Sequence, residues 1–111
     1  MKSMFHTKDW SGQTRLALTP SQLVAGLTKL DDWRLHGEAA QVAIEKTFVF
    51  GNFDETIAFV NSVAFIAKRQ DHHPELLVTY NRCVVRFNTH DVGGVSSTDL
   101  ECAAQVDALL A

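Results

Sequence analysis

Several kinds of residue are scarce in this chain, and each scarcity removes a class of protein. Two cysteines, Cys83 and Cys102, are too few for a disulfide framework or a zinc quartet, so the expected setting is a reducing cytoplasm. Neither charge dominates. Ten Lys and Arg against thirteen Asp and Glu leave a net charge of −3, which offers no bulk attraction to nucleic acid phosphates. Asn61, Lys68 and Arg69 interrupt the apolar stretches, and none nears the roughly 20 residues needed to cross a bilayer. Residues 1 to 10 carry Lys2 but no apolar run, so a secretory leader is not expected. Internal repeats and low-complexity segments are also missing.

What remains reads as one domain over residues 1–111. That length buries a single core but not two, and 46% hydrophobic with 21% charged residues is the balance of a folded protein. The order of elements is helix, strands, helix, strands, helix. Thr19-Pro20-Ser21-Gln22 combines a capping hydroxyl, proline at the first helical position and glutamine three residues after the cap, which predicts a helix from Pro20 to about Leu30. Trp33 to Leu35 reads as a short strand, Gly37 to Ala40 as a turn and Val42 to Phe50 as a longer strand. Alternation puts Ile44, Phe48 and Phe50 on one face of that strand, although Lys46 interrupts it.

From Asp54 to Gln70 the spacing predicts the main helix, with Phe53, Ile57, Val60, Ala64 and Ala67 as its apolar stripe and Val63 and Ile66 widening it. Pro74 stops it. The residue before a proline is pushed out of the helical region, so His73 is expected to be extended while His72 sits at the last turn, and the two rings point apart. Leu76 to Tyr80 and Cys83 to Asn88 read as a hairpin turning at Asn81-Arg82, a register that sets His73 opposite His90. Beyond Gly93-Gly94, Ser96 opens a last helix to about Leu110, with Leu100, Ala103, Ala104 and Val106 as packing residues.

The run Asp71-His72-His73-Pro74-Glu75, followed by Thr89-His90, brings three imidazoles within reach of one pocket. Groups whose ordinary pKa lies near 6.5 both give and take protons at neutral pH, so the cluster points to acid and base chemistry. Metal binding is the competing chemistry. Adjacent histidines rarely turn both rings to one ion, and the spacing is not the i, i+4 helical pair of common zinc motifs, so no metal is expected. Single residues also have plainer roles: Asp99 lies three residues after Ser96 and suits a cap, Asp71 suits a local backbone bond, and Thr89 and Tyr80 suit a hairpin.

With Asp71-His72-His73-Pro74-Glu75, Tyr80-Asn81, Thr89-His90 and Asp99 at these intervals, the chain resembles the pterin-4a-carbinolamine dehydratases. Vertebrate members of that family also act as dimerisation cofactors of a homeodomain transcription factor. The resemblance extends more loosely from Leu18 through Trp33 and the Phe48, Phe50 and Phe53 cluster to the C-terminal helix. It implies an α+β fold, with three helices on one face of a four-stranded antiparallel sheet, assembled as a homodimer or homotetramer. The activity it implies is loss of water from 4a-hydroxytetrahydrobiopterin or a related pterin, giving quinonoid dihydropterin without metal or organic cofactor. That reaction recycles the pterin of aromatic amino acid hydroxylases.

Carried over by position, His72, His73 and His90 match the active-site histidines; the chemistry assigns His72 and His73 the proton transfers and His90 the positioning or stabilising of the hydroxyl. Asp71, Thr89 and Asp99 match residues at or beside the pterin pocket, and Asn88, next to Thr89, is expected to bind substrate with them. Lys68 stands where many relatives carry an acidic residue, Asn88 where a serine is frequent, and Val92 where some have cysteine. The implied partners are the pterin, further copies of the chain, and a hydroxylase or transcription factor; no nucleic acid or membrane partner is expected. The alternative on the same fold is a non-catalytic dimerisation or protein-binding module.

Overall fold

A computed structural model describes residues 7–9 and 15–111; the expectation about a leader in residues 1–10 lies almost wholly outside them. The helices are α1 (Pro20–Leu27), α2 (Phe53–Gln70) and α3 (Ser97–Ala108); the strands are β1 (Arg34–His36), β2 (Ala43–Val49), β3 (Glu75–Val78) and β4 (Arg82–Phe87). All pairings are antiparallel in the order β1-β2-β4-β3, so two hairpins meet at β2 and β4 with α2 between them in sequence. Among the described residues, no helix is long and apolar enough to cross a membrane.

The start of α1 is the expected capping box: the Gln22 N–H donates to Thr19 Oγ1 at 3.2 Å, and the Thr19 N–H donates to Gln22 Oε1 at 2.9 Å. The helix ends at Leu27, three residues early. Gly26 sits so close to α3 that an added Cβ would lie 2.4 Å from a methyl of Leu100, so a larger residue here would push that side chain aside. At α2 the cap is Asn52, whose Oδ1 accepts from the Glu55 N–H at 2.9 Å. Asp54 and Glu55 at its start, with Lys68 and Arg69 at its end, complement the helix dipole.

The core joins Ile44, Phe48, Cys83, Val85 and Phe87 of the sheet to Phe59, Val63 and Ile66 of α2 and Cys102, Ala103 and Val106 of α3. Two expected packing residues are corrected here: Ala64 and Ala104 are exposed. The buried side of α2 runs through Thr56, Phe59, Val63 and Ile66, rotated from the expected stripe, and Phe53 is also exposed. Thr56 occupies the apolar side because its hydroxyl reaches the carbonyls of Asn52 at 2.8 Å and Tyr80 at 3.1 Å. Lys46, the interruption in β2, is explained by Asp107: this carboxylate accepts from Lys46 Nζ at 2.9 Å and from Trp33 Nε1 at 3.0 Å, fastening α3 to the sheet.

The β3–β4 register is also corrected. Val78 pairs with Cys83 and Glu75 with Arg86, and the Thr79 N–H donates to the Arg82 carbonyl at 2.9 Å, so the turn is Tyr80-Asn81. Tertiary contacts select it: Thr56 holds the Tyr80 carbonyl, and the Phe50 N–H donates to the Asn81 carbonyl at 2.8 Å. The pairing slips by two residues, so the same side chains keep the same face, and the ladder prolonged by one like step sets His73 beside Asn88 instead of His90. On the sheet face away from the helices, Arg34, Glu45, Arg86 and Glu75 form one transverse row of alternating charge.

Candidate functional site

Three chain segments meet at the end of β4. The first is the end of α2, which closes in a Schellman turn: the Asp71 N–H donates to the Lys68 carbonyl at 3.2 Å and the His72 N–H to the Ala67 carbonyl at 3.1 Å. Asp71 adopts φ 47° and ψ 46°, the left-handed conformation that usually calls for glycine. This single reversal, followed by Pro74, turns consecutive imidazoles in opposite senses. His72 goes into the protein, where 7% of it is exposed, and His73 stays on the surface.

The second segment runs from β4 into the turn His90–Val92. Thr89 pairs with Gly94, its N–H donating to the Gly94 carbonyl at 2.8 Å, and the chain reverses at Gly93 with φ 65°, where only glycine is unstrained. Thr89 is thereby buried, and His90 is left on the surface. The third segment is the start of α3. Ser96 and Asp99 form its capping box, with the Ser96 N–H donating to Asp99 Oδ2 at 2.8 Å.

Asp99 does more than cap. Its Oδ2 also accepts from Thr89 Oγ1 at 2.7 Å, Thr89 Oγ1 lies 2.6 Å from Ser96 Oγ, and Asp99 Oδ1 lies 2.5 Å from His72 Nε2. Asp99 is fully buried, so these contacts replace the water its carboxylate lost on folding. The His72 ring stacks on Phe87 with centroids 6.1 Å apart, and its Nδ1 faces the Arg15 guanidinium at 3.4 Å. Both ring nitrogens of His72 are therefore engaged.

His73 and His90 differ. Both are exposed, and among the described residues neither ring makes a hydrogen bond. With Asn88 they stand between two small cavities. One, of about 230 Å³, opens on the helix-free face of the sheet beside Glu75, Arg86 and Gln41. The other, of about 220 Å³, adds His72, Asp71, Thr89 and Arg15. Asn88 is fixed by Nδ2 donating to the Val42 carbonyl at 2.5 Å. Arg86 brings a lasting cation to the first cavity: its hydrogen bonds to Glu45, at 3.0 and 2.8 Å, hold its pKa above the ordinary arginine range. A larger cleft of about 560 Å³, on the α1 and α3 side of Arg15, contains no histidine.

All seven residues expected at the site, Asp71, His72, His73, Asn88, Thr89, His90 and Asp99, thus gather at the end of β4, but they divide. His73, His90, Asn88 and Asp71 border open space, Thr89 lines the second cavity though buried, and Asp99 reaches it through His72. Sequence reasoning missed Arg15 and Arg86. Alternation along β4 puts Arg86 on the face of Asn88, a signal that was available; nothing in the sequence pointed to Arg15. Among the described residues, no three His, Cys, Asp or Glu side chains converge as a metal-ligand set.

Comparison with known proteins identifies the family. The family profile described as Pterin 4 alpha carbinolamine dehydratase matches residues 16–109. A protein of Paracidovorax citrulli, provisionally named a pterin-4-alpha-carbinolamine dehydratase, is 62% identical over 109 residues, covering 98% of this chain and 94% of its own length. One of Bdellovibrio bacteriovorus, with the same provisional name, is 54% identical over 97 residues, covering 84% and 78%. A crystal structure from Brucella melitensis, titled a transcriptional coactivator/pterin dehydratase, superposes with a TM-score of 0.79 at 33% identity, covering 86% of this chain and 99% of that one. A pterin dehydratase-like protein described as a RuBisCO assembly factor in the alpha-carboxysome superposes with a TM-score of 0.60 at 25% identity, covering 71% and 89%. The paired histidines before Pro74, the Thr-His at the end of β4, the matching α+β fold and a profile spanning most of the sequence lead to one conclusion: this chain belongs to the pterin-4a-carbinolamine dehydratase family.

Proposed function

We propose that the chain dehydrates 4a-hydroxytetrahydrobiopterin, or a related pterin 4a-carbinolamine, to quinonoid dihydropterin by histidine general acid and base catalysis. The observation that carries this reading is the convergence of His73 and His90 on shared cavities, each ring open to a ligand. The carbon–oxygen bond at C4a breaks as the hydroxyl takes a proton and leaves as water; the proton on N5 is removed, and its electron pair forms the C4a–N5 double bond. His73 and His90 supply those two transfers, one giving and one taking. Such assistance is typically worth about 10²- to 10⁴-fold per group. His72 positions, being buried and bonded at both nitrogens. Asp71, Asn88 and Thr89 border the substrate, and Asp99 acts on it through His72.

The reaction uses no metal or organic cofactor and serves a cytoplasmic cycle that returns pterin to an aromatic amino acid hydroxylase. Assembly as a homodimer or homotetramer uses the outer edge of β3 and the apolar groove beside it, where Phe65, Pro74 and Leu76 adjoin His73. A second reading, a protein-binding module on the same fold, is favoured by the superposable relative described as an assembly factor.

The test follows pterin dehydration spectrophotometrically, with 4a-hydroxytetrahydropterin generated in place by a hydroxylase. Wild-type protein accelerates the reaction, and His73→Ala loses about 10²-fold or more of that acceleration while keeping its fold. No acceleration by folded wild type would move the assignment to the binding module, and a fully active His73→Ala would remove His73 from the chemistry.

A further inference from the structure

We infer that Arg15 is a positioning residue of this site: donating to Nδ1, it holds His72 in the tautomer whose proton lies on Nε2, against Asp99. The inference rests on the dehydratase reading only for its effect on turnover. A guanidinium is a donor at every nitrogen and never an acceptor, so the 3.4 Å contact between Arg15 Nη1 and His72 Nδ1 requires Nδ1 to be the accepting, proton-free nitrogen. The ring proton then lies on Nε2, 2.5 Å from the Asp99 carboxylate that accepts it. The acceptor Asp99 and the donor Arg15 thereby admit one tautomer of the ring and one orientation.

The arrangement is held from both sides. Two residues after Arg15, Ala17 pairs with Ser96, and the Leu18 N–H donates to the Val95 carbonyl at 2.8 Å. Ser96 is also a member of the Asp99 network, so the segment bearing Arg15 is anchored to the residues that hold the far side of the ring. Arg15 itself is oriented by Asp91, whose Oδ2 accepts from Nη2 at 3.4 Å. The charged and titratable groups around His72 are thus Asp99 of α3, Arg15 of the segment before α1, Asp91 and His90 of the turn after β4, and its neighbours Asp71 and His73. The consequence is a division of labour among three identical side chains. His72 stays fixed in one tautomer, leaving the cavity one buried ring bonded at both nitrogens and two exposed rings open to a ligand.

The experiment is nitrogen NMR of protein labelled at its histidines, at neutral pH, on wild type, Arg15→Lys and Arg15→Leu, with turnover measured on the same samples. In wild type, His72 shows one protonated nitrogen, Nε2, and one bare nitrogen, Nδ1. In Arg15→Leu the Nδ1 signal moves toward that of a bare nitrogen without a donor, and kcat/KM falls about tenfold, the effect of losing one charge-assisted hydrogen bond. Arg15→Lys, which retains the charge and a donor, stays nearer to wild type and carries the test if the leucine variant does not fold. A proton on Nδ1 in the wild type, or an unchanged nitrogen pattern in Arg15→Leu, overturns the inference. Absence of turnover in all three proteins with the expected nitrogen pattern overturns the dehydratase reading instead and leaves the role of Arg15 standing.

Discussion

His72 and His73 are neighbours in sequence and opposites in circumstance. The first lies against Phe87 with both nitrogens bonded; the second stands in the open beside His90 with its nitrogens unspent. One left-handed residue, Asp71, followed by one proline produces that split. Residue type therefore does not set the role of a histidine here; the backbone dihedral one position earlier does. The buried half is a place where donors and acceptors are exhausted, and in the open half they face the two cavities unbonded among the described residues.

Removing Asp99 should break this contrast most severely. Asp99→Ala leaves the groups on His72, Thr89 and the Ser96 backbone without their acceptor in a site closed to water, a loss of about 3 kcal/mol in urea unfolding. His90→Ala in the open half should change stability by no more than about 0.5 kcal/mol while turnover falls. Equal losses from the two substitutions would erase the distinction between the halves.

The buried half should also show itself at alkaline pH. Burial raises the pKa of the Cys102 thiol to about 12, with the neighbouring Asp99 charge adding to the rise. An unfolded thiol ionises near 8.5, so this residue's contribution to stability is whole below about pH 8.5 and declines as pH rises toward 12. Thermal melts of Cys102→Ala between pH 8 and 11 are expected to slope less than those of wild type. Parallel slopes would mean that Cys102 is not the group titrating there.

Smallest in size, but sharpest in meaning, is Asp71→Gly. Glycine relieves the left-handed strain, for a gain of up to about 1 kcal/mol, and removes a carboxylate from the cavity wall. A more stable protein with lower turnover would show the backbone and the side chain of Asp71 doing separate jobs. Undiminished turnover would leave it the turn alone.

Much of this could be read before the structure, and the unread part has physical causes. The capping boxes at Thr19 and Ser96, and the divergence forced by Pro74, are local chemistry and stand where spacing put them. The hairpin turn was misplaced because the contacts that choose between Tyr80-Asn81 and Asn81-Arg82 come from Thr56 and Phe50, remote in sequence. The stripe of α2 was rotated because Thr56 looks polar on paper and is buried in fact, its hydroxyl satisfied by two carbonyls. At the site, the seven residues were legible as a group, since adjacency and interval are properties of the chain. Their division into buried and open sets was not, because it depends on which of them finds a partner in α3. Arg15 was invisible for the same reason: its meaning comes from a strand bridge, Ala17 to Ser96, that joins opposite ends of the molecule.

The strand order has a bearing on when this molecule becomes competent. Its central pair joins β2 to β4 across the whole of α2 and β3, and Ala17 meets Ser96 across every element from α1 to β4. Closing such long loops comes with an entropic cost that local turns escape, so these pairings mature late in assembly. During synthesis the histidines emerge before the helix that carries Asp99. They wait, uncommitted, until the C-terminal segment arrives to decide which is locked and which stays open. Appearance of activity in a refolding experiment would accordingly mark the final docking of α3, and no shorter portion of the chain would display it.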